Sequence, residues 1–204
     1  MDHVLLVHGL WMRSFAMLAL ARHLRMDGFA VDTIDYASVS GGFDAAVRRV
    51  RQRLRGAGDG ARHLVGHSLG ALVSLEATRG IAGLPPGRTV CLGPPLRGSA
   101  AARALRAWPQ ARWLLGRNAR QLAEGIAPWS DAREVGVIAG DLPLGFGRLL
   151  PGQVAPGDGT VALEETRLEG VAAHCTVHAT HTGLLLSPGV AERVARFLRH
   201  GHFD

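Results

Sequence analysis

A chain of 204 residues is long enough to form one domain with a full hydrophobic core, and we take residues 1–204 as a single domain. Its 47% hydrophobic and 20% charged residues exclude a largely disordered protein. The formal net charge of +6 comes from 23 basic residues, all of them arginine, which we ascribe mainly to genome composition. Without a nucleic-acid motif or interleaved aromatic residues, we expect no nucleic-acid partner.

Short apolar runs alternate with helical segments along the chain. The runs predict six strands, at residues 3–7, 30–35, 62–66, 88–92, 134–139 and 172–178. The main helical segments are predicted at residues 14–26, 43–56, 69–79 and 189–200. This alternation predicts an α/β fold, with about six mostly parallel strands in one sheet and helices on both faces.

The chain turns directly after the first strand, at the sequence His8-Gly9-Leu10-Trp11. Gly9 allows the backbone to approach a neighbouring group closely. With a reactive serine downstream, the backbone N–H of Leu10 is a candidate oxyanion donor, and such a donor is worth about 3 kcal/mol in the transition state. Trp11 is a candidate substrate contact.

The third strand leads into a G-x-S-x-G pentapeptide, Gly66-His67-Ser68-Leu69-Gly70, which opens a helix. A serine at such a strand-to-helix turn has a strained backbone that lifts its hydroxyl out of the sheet. The helix N-terminus adds positive partial charge. We therefore take Ser68 as the candidate nucleophile and the N–H of Leu69 as the other oxyanion donor.

An inserted region, residues 99–130, follows the fourth strand, and its sequence predicts two helices. The first ends before Pro109, and the second runs from Gln110 to Glu124. Trp113 lies in the second and is a candidate substrate contact. Such a segment can form a mobile lid or pack against the edge of the sheet, and packing is slightly favoured.

A serine nucleophile needs a base, and the base needs an acid to orient it. Asp158 lies between two glycines, on a turn from which a carboxylate can reach an imidazole sideways. Asp141 competes with it, because it ends the apolar run 135–140, and open α/β sheets carry their chemistry at that end of a strand. We favour Asp158 and keep Asp141 as the alternative.

For the base we favour His181, which lies just past an alternating run and before the last helix. It also completes the chain order serine, acid, histidine that is usual with this type of serine turn. His174 and His178 fall on one face of the preceding strand, where ordinary polar residues are expected. His200 and His202 lie in the terminal segment.

These motifs resemble the α/β-hydrolase superfamily, and more closely its minimal bacterial lipase and esterase members without a large cap. The matching segments run in the family's order from residue 3 to about residue 198: His8-Gly9-Leu10, the pentapeptide around Ser68, Asp158-Gly159-Thr160-Val161 and His181-x-Gly183-Leu184-Leu185. The resemblance implies a Ser68–His181–Asp158 triad that cleaves a carboxylic ester through an acyl-enzyme. Two features depart from the family pattern: a loop, Leu142–Pro156, separates the acid from its strand, and Gly93-Pro94-Pro95 lacks the usual threonine.

The same triad fits an acyltransferase, a thioesterase or an amidase, and a non-catalytic ligand-binding protein can share the fold. The expected partner is a small-molecule or lipid acyl ester, and the arginines could bring the protein to an anionic membrane surface. We expect no cofactor or metal, because no paired cysteine or histidine cluster and no phosphate-binding loop is present.

The chain enters its first strand by residue 3, and no apolar stretch reaches the roughly 20 residues that a membrane span needs. The sequence therefore predicts a cytoplasmic protein without a transmembrane segment. Cys91 and Cys175 are expected as free, buried thiols.

Overall fold

Six parallel strands form a single sheet in the computed structural model, which describes residues 1–55, 60–144 and 156–204. The spatial order is β2-β1-β3-β4-β5-β6. The strands are β1 His3–Val7, β2 Ala30–Ile34, β3 Arg62–His67, β4 Thr89–Leu92, β5 Val135–Gly140 and β6 Ala173–Val177. The predicted α/β fold with a six-stranded sheet is confirmed, and each predicted strand agrees with an observed one to within one residue at either end.

Helices cover both faces of the sheet, as predicted. Those in the described part of the chain are α1 Leu18–Met26, α2 Phe43–Leu54, α3 Leu69–Thr78, α4 Ala100–Ala107, α5 Ala119–Glu124, α6 Gly183–Leu186 and α7 Pro188–His200. Shorter 3-10 segments occupy Ser14–Met17, Arg112–Asn118 and Leu163–Thr166. None of the described helices is long and apolar enough to cross a membrane.

Two hydrophobic cores lie on opposite faces of the sheet, because successive side chains of a strand point to opposite sides. Leu5 and Val7 of β1 pack into the core that also holds the buried faces of α2 and α3. Val4 and Leu6 pack into the other core, with α1 and α7. The four inner strands, β1, β3, β4 and β5, are therefore buried on both faces, which explains their almost continuous apolar sequence.

The chain reverses its direction across the sheet between β1 and β3. It moves from β1 outward to β2, returns to β3 on the other side of β1, and then continues outward through β4, β5 and β6. In open α/β sheets, ligands bind at the carboxyl ends of the strands near such a point. The serine turn follows β3 directly and therefore lies at this position.

The inserted region packs onto the first of these cores through Leu105, Leu115 and Leu122, which are all buried. Its first helix, α4, ends before Pro109 as predicted. The single second helix predicted for residues 110–124 is wrong. Gly116, inside the 3-10 stretch Arg112–Asn118, has a non-helical backbone with φ +55° and interrupts the segment before α5. A Cβ at Gly116 would lie 2.3 Å from the carbonyl oxygen of Val39, so this position requires glycine.

Both cysteines are free thiols, as predicted, but the prediction that both are buried is wrong for Cys175. Cys91 is buried in β4, and burial raises the pKa of its thiol. Cys175 lies in β6 and is only partly buried, because the residues of β6 retain partial exposure along the strand. Within the described ranges, no group of three His, Cys, Asp or Glu side chains is arranged to hold a metal ion.

Candidate active site

Ser68 lies in a strained turn at the start of α3. Its φ of +52° is in the left-handed region, where a non-glycine residue costs on the order of 1 to 3 kcal/mol. The turn is fixed from the sheet side, since the Ser68 N–H donates to the carbonyl oxygen of Leu92 over 2.9 Å. The turn predicted from the sequence thus has the backbone conformation of a nucleophile elbow.

The two glycines of the pentapeptide are required by close packing around this turn. A Cβ on Gly66 would lie 2.4 Å from the Cα atom of Ala71, and one on Gly70 would lie 2.2 Å from the carbonyl oxygen of Val7. Both distances are far below van der Waals contact. The glycines therefore let α3 begin directly over the ends of β1 and β3, with Ser68 at the junction.

Asp158 and His181 form a buried pair at the same edge of the sheet. The Asp158 Oδ2 atom lies 2.6 Å from His181 Nδ1, and the two side chains are 1% and 12% exposed. The Asp158 Oδ1 atom accepts the backbone N–H groups of Thr160 and Val161, at 2.9 and 2.8 Å. One carboxylate oxygen is therefore held by the backbone, and the other is free to bond the imidazole.

The surroundings of Asp158 keep its carboxyl group ionised. Burial alone raises the pKa of Asp158, but the charge of His181, its hydrogen bond and the two backbone N–H groups outweigh burial, so the pKa is lowered overall. A carboxylate at His181 Nδ1 favours the tautomer with a proton on that nitrogen. The Nε2 atom of His181 is then left as the proton acceptor.

The backbone of Leu92 and Gly93, at the end of β4, brings the pair and the serine together. Leu92 accepts the N–H of Ser68, as described above. A Cβ on Gly93 would lie 2.9 Å from Asp158 Oδ2 and 3.0 Å from His181 Nδ1. Gly93, which has no side chain, thus leaves room for the pair.

Asp158 lies beside the end of β5, although a long loop separates the two in the chain. A Cβ on Gly140, the last residue of β5, would lie 2.8 Å from the Asp158 Cβ atom. Most of the intervening predicted loop, residues 145–155, lies outside the described residues. This departure from the family pattern therefore changes the chain length before the acid without moving the acid away from β5.

Asp141, the alternative acid, is bonded to a different histidine. Its Oδ1 atom lies 2.9 Å from Nδ1 of His178, and the two side chains are 40% and 78% exposed. Because His181 already bonds Asp158, this geometry favours Asp158 over Asp141 as the acid of the site.

The two residues predicted as oxyanion donors, Leu10 and Leu69, belong to the backbone segments next to Ser68. Leu69 is the first residue of α3, where a helical N–H has no intrahelical partner. The turn that carries Leu10 packs against the serine, since a Cβ on Gly9 would lie 3.2 Å from the Ser68 Cβ atom. Among the turn and loop bonds of the described residues, none uses the Leu10 or the Leu69 N–H as its donor.

Sequence reasoning missed the role of His67, which precedes the nucleophile and is fully buried. Its Nε2 atom lies 2.9 Å from the carbonyl oxygen of His181, and the two rings are 4.6 Å apart. Burial lowers the pKa of His67 to about 3, so the ring is neutral and donates one N–H to that carbonyl. The only sequence feature that pointed to this role is that His67 is a polar residue at the end of an otherwise apolar strand.

His8 was likewise named only as part of a motif, and it holds the turn after β1. Its ring is buried and stacks on Tyr36 at a centroid distance of 4.4 Å. The Tyr36 hydroxyl donates to the His8 carbonyl oxygen over 2.7 Å. Burial lowers the pKa of His8, so it too is neutral near pH 7.

Trp11 and Trp113, the two predicted substrate contacts, lie against each other. Their rings meet edge to face at 5.8 Å, and the Trp11 indole N–H donates to the carbonyl oxygen of Leu114 over 2.7 Å. Both side chains stay more than half exposed. The two residues connect the turn after β1 with the inserted region.

Comparison with known proteins agrees with the fold. The sequence matches the alpha/beta hydrolase family over residues 4–203, and the chain belongs to that family. A search of curated proteins found no match.

Several solved structures share the fold at low sequence identity. A metagenomic carboxyl esterase has a TM-score of 0.73 and 17% identity, over 98% of this chain and 76% of that one. The type II thioesterase BorB from the borrelidin biosynthetic cluster has a TM-score of 0.67 and 16% identity, over 97% and 91%. A lipase-esterase related protein from Clostridium acetobutylicum has a TM-score of 0.65 and 11% identity, over 96% and 94%.

Proposed function

We propose that the protein is a serine hydrolase that cleaves a carboxylic ester of a small molecule or lipid. Ser68 is the nucleophile, His181 the base, and Asp158 the acid that orients it. The observation that carries this proposal is the buried Asp158–His181 pair, with 2.6 Å between Oδ2 and Nδ1, at the same β4 end that holds the Ser68 N–H.

The reaction begins with proton transfer from the Ser68 hydroxyl to Nε2 of His181, while the serine oxygen attacks the ester carbonyl carbon. Asp158 stabilises the resulting imidazolium through Nδ1 and stays ionised. The carbonyl oxygen becomes an oxyanion, which the N–H groups of Leu10 and Leu69 stabilise. The proton then passes from Nε2 to the leaving alkoxide, which departs as the alcohol.

The acyl-enzyme is hydrolysed by the same groups, with water in place of the Ser68 hydroxyl as the nucleophile. Water loses a proton to His181 Nε2 and attacks the acyl carbon, and the oxyanion forms again in the same place. When the tetrahedral intermediate collapses, the Ser68 oxygen regains its proton and the carboxylic acid leaves. The oxyanion donors contribute about 3 kcal/mol each to both steps.

Thioester hydrolysis is the second candidate function, since BorB, a type II thioesterase, shares the fold over most of both chains. The same nucleophile, base and oxyanion donors serve a thioester carbonyl. A matched pair of substrates, an oxygen ester and a thioester of one acyl group, distinguishes the two by their kcat/KM values.

Intact-mass labelling with a fluorophosphonate probe tests the proposal without a guess about the substrate. The probe reacts with an activated serine, so one adduct is expected on the wild-type protein and none on Ser68→Ala. Ser40→Ala is the matched control, because Ser40 is an exposed serine in a loop, and it should label like the wild type. No adduct on the folded wild-type protein, or an adduct that survives Ser68→Ala, would overturn the proposal.

A further inference from the structure

Trp11 has a backbone conformation that large side chains rarely adopt. Its φ is +58°, and among the described residues that are not glycine only Ser68 shares a positive φ. Such strain persists only where surrounding contacts hold it in place, and it concentrates at functional sites. Trp11 directly follows Leu10, whose N–H is the proposed oxyanion donor.

Directional contacts, rather than burial, hold Trp11 in this conformation. The residue is 56% exposed, so less than half of its surface leaves water. Its N–H donates to the carbonyl oxygen of Leu114 over 2.7 Å, and its ring meets Trp113 at an interplanar angle of 88°. Both partners belong to the 3-10 stretch Arg112–Asn118 of the inserted region.

This 3-10 stretch is itself fixed to the loop that follows β2. The N–H of Arg117 donates to the carbonyl oxygen of Val39 over 3.0 Å, and the Asn118 side-chain amide donates to that of Ser38 over 2.5 Å. Leu115 of the same stretch is buried in the core. The carbonyl group of Leu114 is therefore presented to Trp11 from a firmly attached segment.

The same loop holds the opposite end of the turn. The Tyr36 hydroxyl donates to the carbonyl oxygen of His8 over 2.7 Å, two residues before Leu10. The turn from His8 to Trp11 is thus fixed at one end by Tyr36 and at the other by Leu114. The Leu10 N–H lies between these two attachments.

We propose that the inserted region clamps the turn from His8 to Trp11, with Trp11 as a positioning residue that fixes the Leu10 N–H beside Ser68. This role presupposes the proposed serine hydrolysis, and it replaces the sequence prediction that Trp11 is a substrate contact. It also gives the inserted region a function other than that of a lid.

The first test compares Trp11→Phe with Trp108→Phe. Trp11→Phe keeps an aromatic ring and removes the indole N–H that bonds Leu114. Trp108 is an exposed indole of the same region, with no hydrogen-bond partner among the described residues, and serves as the matched control. The measurement is kcat and KM on p-nitrophenyl acetate, butyrate and octanoate.

A displaced oxyanion donor lowers kcat for every acyl length alike. We expect Trp11→Phe to lose about 10- to 100-fold in kcat on all three esters, with KM within about twofold, and Trp108→Phe to match the wild type. A change in KM or in chain-length preference at constant kcat would mean that Trp11 contacts the acyl chain. Unchanged kinetics would mean that the bond to Leu114 positions nothing.

Two readouts keep the clamp testable if a variant is unstable or the proposed function fails. Hydrogen exchange of the indole N–H groups needs no activity: in the wild-type protein the Trp11 proton should exchange more slowly than that of Trp108, and equal rates would contradict the clamp.

Trp11→Gly relieves the strained φ, so it should keep its melting temperature but still lose kcat. Full activity of Trp11→Gly would also contradict the clamp. Absence of fluorophosphonate labelling on wild-type Ser68 would refute the hydrolase proposal, and with it the oxyanion role of Leu10, while the exchange rates would still report whether Leu114 holds Trp11.

Discussion

Two aspartate–histidine pairs lie near the end of β5, and they differ mainly in their surroundings. Asp141 follows the strand directly and bonds His178 in an exposed pair, whereas Asp158 returns from a loop and bonds His181 in a buried pair. The Nδ1–carboxylate distances, 2.9 and 2.6 Å, are similar. An aspartate–histidine contact at a strand end is therefore not sufficient to define a catalytic pair.

What separates the two pairs is the backbone around them. The Asp158 carboxylate accepts two further N–H groups, and its histidine lies against Gly93, whose neighbour Leu92 bonds the Ser68 N–H. The exposed pair is screened by solvent, and such surface pairs are worth about 0 to 1 kcal/mol. The following predictions test this difference, from the largest expected effect to the smallest.

Replacing each histidine by alanine should separate the pairs most strongly. His181→Ala removes the base, and we expect the rate of fluorophosphonate labelling at Ser68 to fall by about 10⁶-fold, as for the base of a related triad. His178→Ala should stay within about twofold of the wild type. Equal losses in the two variants would show that the buried pair has no special role.

Replacing each acid by asparagine should give the next largest difference. Asp158→Asn leaves the shape of the site but no longer favours the Nδ1–H tautomer of His181, so kcat/KM should fall by about 10⁴-fold. Asp141→Asn should remain close to the wild type in the same ester assay. A normal Asp158→Asn together with an inactive Asp141→Asn would make Asp141 the acid.

A methyl group at Gly93 should disturb the buried pair without replacing either of its side chains. Its Cβ would lie 2.9 Å from Asp158 Oδ2 and 3.0 Å from His181 Nδ1, so Gly93→Ala should lower kcat by about 10- to 100-fold. Gly83→Ala is the matched control, because Gly83 has φ +74° and no atom within 4 Å of its Cβ position.

Both glycine variants share the penalty of a left-handed alanine, about 1–2 kcal/mol in the free energy of unfolding. Urea unfolding should therefore show comparable losses of stability, with any excess in Gly93→Ala coming from the collision. Only Gly93→Ala should lose activity. Equal kinetics in the two variants would show that the contact of Gly93 with the pair is irrelevant to catalysis.

The smallest expected effect is on the pH dependence of stability. Because the pKa of Asp158 is lowered in the folded protein, its ionisation stabilises the fold above about pH 4 and ceases to do so as the pH falls through the folded-state pKa. The melting-temperature advantage of the wild type over Asp158→Asn should be largest at pH 5–7 and should narrow toward pH 3. An advantage that grows on acidification would contradict the lowered pKa.

Much of the fold and the identity of the candidate nucleophile could be predicted because their signals are local. Strand boundaries follow from short apolar runs. Gly66 and Gly70 indicate a turn with no room for a side chain at either position. The choice between Asp141 and Asp158 could not be completed in the same way. It depends on the path of the chain after β5, which brings Asp158 back to Gly140.

The features that sequence reasoning missed depend on contacts between distant segments. The break at Gly116 is set by the carbonyl oxygen of Val39, and His67 donates to the carbonyl of His181, more than a hundred residues later in the chain. The strained φ of Trp11 is held by Leu114. These contacts could not be predicted from periodicity or from a local motif, because each partner is a backbone carbonyl that any residue type could supply.

A double-mutant cycle on Asp158 and His181 tests most directly whether the buried pair acts as one unit. The measurement is the labelling rate of Ser68 by the fluorophosphonate in His181→Ala, in Asp158→Asn and in the double variant, with the Asp141 and His178 cycle as the control. We expect Asp158→Asn to slow His181→Ala by less than about threefold, because an orienting acid has no effect once its base is absent. A further loss of about 10⁴-fold in the double variant would show that the two residues act independently, and would contradict a Ser68–His181–Asp158 triad.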